Sequence, residues 1–421
     1  MSPKKARNVF VVVIVAIGLV FGGLAHQDML FSRPAEAQKT AIDTHATEDS
    51  VADLVESLNA FSLDMYAKLC SGNHSNVFFS PYSIFVALAM TYEGARGETA
   101  QEMHTVLRFR QNNHTTLCSF GKIYNLLNVD AEYTLHTANA LWTQENYPFL
   151  QEYLHFIENY YMGDATDVNF TYAEQAAQTI SQWVEENTGG KIKDFITGDD
   201  IHPLTRLILT NAIYFKGNWR YQFPPENTEN KAFEVSPDTT VDVPTMSMSH
   251  SGVKLQYAET DDMQMLELPY ESEKLSMTIF LPRENNVSKI EHMMTPDNLT
   301  QWQESLIETQ VDMSLPKFSL ETEYRLKQVL MDMGMAIPFT LDADFSGMNG
   351  NQDLYIDKVI HKAFIEVNEK GTEAAGATSV HMSLTSVPDN VVFNANHPFL
   401  FIIQHQETGT ILFMGKICNP Q

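Results

Sequence analysis

Gly371-Thr372-Glu373-Ala374-Ala375-Gly376-Ala377-Thr378, running on through Ser379-Val380-His381-Met382-Ser383-Leu384, is the most informative stretch of this chain. Its first eight residues are small, apart from the single charge at Glu373. Side chains alternate along a strand, so Glu373 would mark a wet face continued by Ala375, Ala377, Ser379, His381, Ser383 and Thr385. The opposite face would hold Thr372, Ala374, Gly376, Thr378, Val380, Met382 and Leu384, all uncharged. A flexible linker or an ordinary strand has the same composition, so the surrounding sequence has to decide.

Upstream, the pattern is helical. Val51, Leu54, Val55, Leu58, Phe61 and Met65 fall on one helix face between Val51 and Leu69. Ser80-Pro81 opens a second apolar run to Met90, with proline where a helix tolerates it. Later the period changes. Leu275, Met277, Ile279 and Leu281 alternate with Lys274, Ser276, Thr278 and Phe280 as far as Pro282. Val311, Met313 and Leu315 do the same before Pro316, and Val359, Ala363, Ile365 and Val367 share one parity. Helices early and strands late predict an α+β fold built round large sheets, with one body over residues 51–421.

The chain has 421 residues, 44% hydrophobic, which is ample for a packed core. Lys and Arg number 27 against 53 Asp and Glu, a formal net charge of -26 that repels phosphate backbones, so no nucleic-acid partner is expected. Lys4, Lys5 and Arg7 precede an apolar run from Val9 to Ala25, the pattern of an export signal or an N-terminal membrane anchor over residues 1–25. Residues 26–50 read as a polar linker. The body is therefore expected outside the cytoplasm, secreted or tethered. Cys70, Cys118 and Cys418 include no C-x-x-C pair, so disulfides are not the framework; one bridge or three buried thiols both fit. Sequons stand at Asn73, Asn113, Asn169, Asn286 and Asn298.

Catalytic motifs are missing from the sequence. It contains no G-x-S-x-G, H-E-x-x-H or G-x-x-x-x-G-K-[ST], and its fourteen histidines form no compact ligand motif. Neither an enzyme nor a metal or other cofactor is expected.

Four blocks then resemble one family, the serpins, with similarity spread from about Val51 to Gln421. They are Asn76-Val77-Phe78-Phe79-Ser80-Pro81-Tyr82-Ser83-Ile84 with Gly94-Ala95-Arg96-Gly97-Glu98-Thr99; Leu209-Thr210-Asn211-Ala212-Ile213-Tyr214-Phe215-Lys216-Gly217-Asn218-Trp219; Phe393 to Ile403; and Phe413-Met414-Gly415-Lys416-Ile417. The resemblance implies a serpin fold: early helices on a large, mainly antiparallel sheet A, smaller sheets B and C, and an exposed reactive-centre loop over about 369–392.

The same resemblance implies a function, inhibition of serine proteases by loop cleavage, acyl-enzyme trapping and loop insertion. Its hinge would comprise Glu369, Gly371, Thr372, Glu373, Ala374, Ala375, Gly376, Ala377 and Thr378. Counting the usual seventeen residues from Glu369 places the cut at Thr385-Ser386, with Leu384-Thr385 and Met382-Ser383 as alternatives. An uncharged Thr385 suits elastase-like or subtilisin-like enzymes, and Leu384 a chymotrypsin-like one. Ser80, Ser83, Asn211 and His361 match the shutter where the sheet opens; Trp219, Lys317 and Glu369 match the breach at its top. A non-inhibitory carrier or chaperone is the alternative. Lys122 is the only basic residue between about Leu117 and Leu127, so heparin is not an expected partner. The implied partner is a target serine protease held covalently, and the implied state is a monomer able to form loop-sheet polymers.

Overall fold

A reciprocal cap starts the first long helix. In this computed structural model, which describes residues 39–110, 114–129, 131, 133–249, 252–372 and 390–421, the Ser50 amide donates to the Thr47 hydroxyl and the Thr47 amide to the Ser50 hydroxyl. The helix runs Glu48–Cys70, with Glu48 and Asp49 in its first turn and Lys68 in its last, both favourable to the helix dipole. Its buried stripe includes Leu54, Val55, Leu58, Phe61 and Met65, as the spacing predicts.

Residues 40–50 are not linker. Ala41 is buried and its backbone bonds both ways with the Asn125 side-chain amide, while the Ile42 amide donates to Asn159 O. Polar residues here satisfy one another and the body instead of solvating a tether, which is why composition alone misplaces the boundary. The compact unit spans Thr40–Gln421. Residues 1–38, which contain the predicted signal or anchor, lie outside the described residues; among those described, no helix is long and apolar enough to cross a membrane.

The helix Pro81–Tyr92 is buried on every side, capped by Ser80 with proline in its first turn. It lies between two sheets. One has six strands in the spatial order Phe318–Arg325, Lys358–Asn368, Gly371–Thr372, Leu207–Asn218, Thr134–Gln144 and Asp164–Val168. The other ten strands are joined through Ile307–Pro316, whose first half pairs with Lys254–Glu259 and whose second half pairs with Thr239–Met248. This arrangement agrees with the sheet A and smaller sheets B and C expected from the sequence. The strand Leu275–Pro282 departs from the half-exposed alternation its sequence suggests, because all eight residues are buried. Phe280 shares a face with Ser276 and Thr278, and its ring lies 5.9 Å from Trp302 of the helix Pro296–Glu304; with Ser276 and Thr278 also buried, the sheet is covered on both sides.

The six-stranded sheet presents two apolar faces to two cores. Leu209, Ile213, Phe215, Val359, Ala363 and Ile365 point into the main core. Ala138, Ala140, Trp142, Ile208, Ala212 and Ile360 face the helix Ala173–Asn187 in a second, smaller core. All three cysteines are buried free thiols, and burial pushes the Cys70 thiol up to about 12.

Candidate functional site

The six-stranded sheet has a seam. Strands Leu207–Asn218 and Lys358–Asn368 pair directly and in parallel from Ile208 opposite Lys358 up to Tyr214 opposite Phe364. Above that point Gly371–Thr372 is wedged between them, antiparallel to both: Thr372 lies opposite Val367 and Gly217, and Gly371 opposite Asn368 and Asn218. Glu373, Ala374, Ala375, Gly376, Ala377, Thr378, Leu384, Thr385 and Ser386 lie outside the described residues.

Only glycine fits at 371. Its φ of +153° is rarely adopted by other residues, and a Cβ there would stand 2.1 Å from Gly217 O. Thr372 is fully buried and its hydroxyl meets the Tyr270 hydroxyl at 2.9 Å. Tyr270 stacks on Trp219, with ring centroids 4.6 Å apart. The Trp219 amide donates to Lys370 O at 2.7 Å and its indole N–H to Asn368 O at 3.0 Å, and the Phe223 amide donates to Glu369 O at 2.9 Å. The turn feeding the wedge is thus held at three successive carbonyls.

Glu369 and Lys317, 52 residues apart in sequence, form an ion pair at 2.9 Å at the same end of the sheet. The Thr228 hydroxyl donates to the same carboxylate at 2.9 Å. Burial alone would raise the Glu369 pKa. Donors from its own backbone, Lys317 and Thr228, with the Lys317 charge, outweigh burial and hold it below the ordinary carboxylate value.

Lower on the sheet's inner face, four side chains stand in one row across four strands: Asn139, Asn211, His361 and Tyr324 are successive register partners. The Ser80 amide donates to His361 Nε2 at 3.0 Å, so Nδ1 carries the proton and donates to Asn211 Oδ1. Burial pushes the His361 pKa down to about 3, and the ring is neutral. The Asn211 amide donates to the Ser83 hydroxyl and to Asn139 Oδ1, and the Ser83 hydroxyl donates to Asn139 Oδ1 at 2.9 Å. Ser80 caps its helix at the Ser83 amide and donates its hydroxyl to Leu412 O at 2.6 Å. Tyr324 lies nearly parallel to the His361 ring, and its hydroxyl accepts from the Phe78 amide at 3.3 Å.

The structure therefore brings Ser80, Ser83, Asn211 and His361 into one hydrogen-bonded group, and Trp219, Lys317, Glu369, Gly371 and Thr372 into another. Sequence reasoning missed Tyr270, Thr228, Asn139 and Tyr324. Asn139 left a readable signal, a polar residue sharing parity with Leu135 and Leu141. Tyr270, after Pro269 at a strand end, left none. Among the described residues no three His, Cys, Asp or Glu side chains converge as a metal site.

Comparison with known proteins agrees with this architecture. The family model for serpins (serine protease inhibitors) matches residues 56–420. The chain is 41% identical to an uncharacterised serpin-like protein of Thermococcus kodakarensis, covering 97% of this chain and 99% of that one. It is 39% identical to the leukocyte elastase inhibitor of Xenopus tropicalis, over 86% of this chain and 97% of that one. Its fold is similar to that of human thyroxine-binding globulin, with a TM-score of 0.80, 29% identity, and coverage of 88% and 100%. The chain belongs to the serpin family.

Proposed function

We propose that the chain is an inhibitory serpin, not an enzyme: a suicide substrate that traps serine proteases by inserting its cleaved loop into the six-stranded sheet. The observation that supports this reading most directly is the wedge of Gly371–Thr372 in the seam, already antiparallel to both neighbours. In the inserted state the same register would put Glu373 between Lys216 and Glu366, Ala375 between Tyr214 and Phe364, and Thr378 between Asn211 and His361. Small residues would thus meet the directly paired part of the seam, while Glu373 would fall on the outer face between a lysine and a glutamate.

Energetics favour the same direction. Insertion replaces one parallel ladder with two antiparallel ones, and each added hydrogen bond is worth roughly 0.5–1.5 kcal/mol net. Over about a dozen residues the sum reaches on the order of 10 kcal/mol. A protease still attached as an acyl-enzyme would be dragged along, and losing one oxyanion donor alone slows chemistry by about a hundredfold to a thousandfold. The cut is assigned to Thr385-Ser386, with Leu384-Thr385 as the alternative, which implies an elastase-, subtilisin- or chymotrypsin-like target. The compartment proposed is extracytoplasmic, reached through the apolar run in residues 1–25.

Thyroxine-binding globulin shows that a carrier is the second reading for this fold. It is disfavoured because Thr372, already in the sheet, and Ala374, Gly376 and Thr378, which would have to follow it on the inner face, are small and uncharged. Incubation with the three protease types separates the readings. An inhibitor gives a covalent complex stable in SDS, with a fragment released at the assigned bond; a carrier is cut and leaves the protease active, which would overturn the proposal.

A further inference from the structure

The seam is crossed on its outer face by the segment that follows the helix Ala173–Asn187. Gly189 and Gly190, with φ of +62° and +76°, turn the chain back over the sheet. Ile192, Phe195 and Ile196 then bury themselves in the smaller core beside Ile208, Ala212 and Ile360. Ser181 fixes the far end, accepting from the Ile196 amide at 3.2 Å and donating to its carbonyl at 3.1 Å.

Two lysines fasten this strap to the seam. Lys191 Nζ lies 5.8 Å from the Tyr214 ring centroid and 5.9 Å from that of Phe364, within the range of a cation–π contact to each. The two rings belong to opposite strands, 6.4 Å apart, and form the last directly paired couple below the wedge. Lys362, on the Phe364 strand, donates to Asp194 O at 2.9 Å, pairs with Glu323 at 3.1 Å and lies 5.7 Å from the Phe195 centroid.

We propose that Lys191 is a positioning residue that sets the rate at which the seam opens. This rests on the insertion mechanism above. A strand entering between Tyr214 and Phe364 moves them apart by one further strand spacing, about 4.8 Å, and one ammonium can no longer sit over both ring faces. Lys191 is therefore bound more tightly to the closed seam than to the opened one, and that difference opposes opening. Lys362 has no such bias, because its partners lie on the adjoining edge strand and on the strap, none of them across the seam.

The test is the rate at which a synthetic peptide of the sequence Glu373 to Thr385 anneals into the intact, uncleaved protein, followed by native gel. Lys191→Gln should anneal about five-fold faster than the parent, Lys191→Arg at close to the parent rate, and both should keep the parent's circular dichroism. Hydrogen exchange at the Tyr214 and Phe364 amides should rise in Lys191→Gln alone. An unchanged annealing rate in Lys191→Gln, with the parent taking up peptide normally, overturns the assignment and leaves the insertion mechanism standing. A parent that takes up no peptide overturns both.

Discussion

His361 Nδ1–H donates to Asn211 Oδ1 directly across the seam, joining two strands that also pair in register at these residues. Nε2 is committed as an acceptor for the Ser80 amide, so the ring has no site for a second proton without losing that bond. Burial holds its pKa at about 3. Between the unfolded value of about 6.5 and 3, the unfolded chain binds a proton that the native chain refuses. Stability from this residue is complete above that window and falls by about 1.4 kcal/mol per pH unit as pH drops through it. Urea midpoints measured from about pH 7 down to pH 4 should show this slope, and His361→Asn should flatten it.

Lys317→Met leaves the Glu369 carboxylate with only Thr228 and its own backbone. Lys317 is partly exposed, so the expected loss at neutral pH is modest, about 0.5–1 kcal/mol. Glu369 has a depressed pKa, so the ion pair contributes above the ordinary carboxylate range and is lost as pH falls through the depressed value. The difference between variant and parent should therefore vanish in acid; a pH-independent difference would assign the effect to packing.

Gly371→Ala should push the wedge out of the sheet. Its Cβ cannot coexist with Gly217 O, so the hydrogen bond from the Trp219 amide to Lys370 O is expected to weaken. Faster hydrogen exchange at the Trp219 amide and altered tryptophan fluorescence are the readouts, with a stability loss of about 1–3 kcal/mol.

Tyr270→Phe and Thr372→Val each strand one buried hydroxyl, at an expected cost of about 1–2 kcal/mol apiece. Removing both leaves neither unpaired, so the double variant should recover much of that loss. A coupling energy indistinguishable from zero would show that the 2.9 Å contact contributes nothing.

Thr372→Arg buries an uncompensated charge on the inner face. Protease assays on this variant should yield cleaved chain and active enzyme in place of trapped complex. Complex formation at the parent level would count against loop insertion.

The long amphipathic helices and the core strands could be read from periodicity, because each buries one face against a single apolar layer. Leu275–Pro282 could be read as a strand but not as one covered on both faces, since Ser276 and Thr278 look solvent-facing in sequence and are buried in the fold. The strand Thr134–Gln144 was hidden by its mixed polarity, the result of lying between two cores of different composition. Parity placed His361 on an apolar face. Its partners, 150 and 281 residues away, came only from family resemblance, as did the Glu369–Lys317 pair. Tyr270 escaped both routes, because a tyrosine at a strand end looks the same whether its hydroxyl meets water or a threonine.

The three unjoined cysteines bear on how such a molecule is made. With Cys70, Cys118 and Cys418 all reduced, no covalent staple ties the helices to either sheet. Attaining the native form needs no oxidant or isomerase, so chain refolded under strong reductant should be indistinguishable from material never unfolded. Nor does any crosslink have to be broken before strands slide past one another, and what keeps the molecule in its starting shape is non-covalent contact alone.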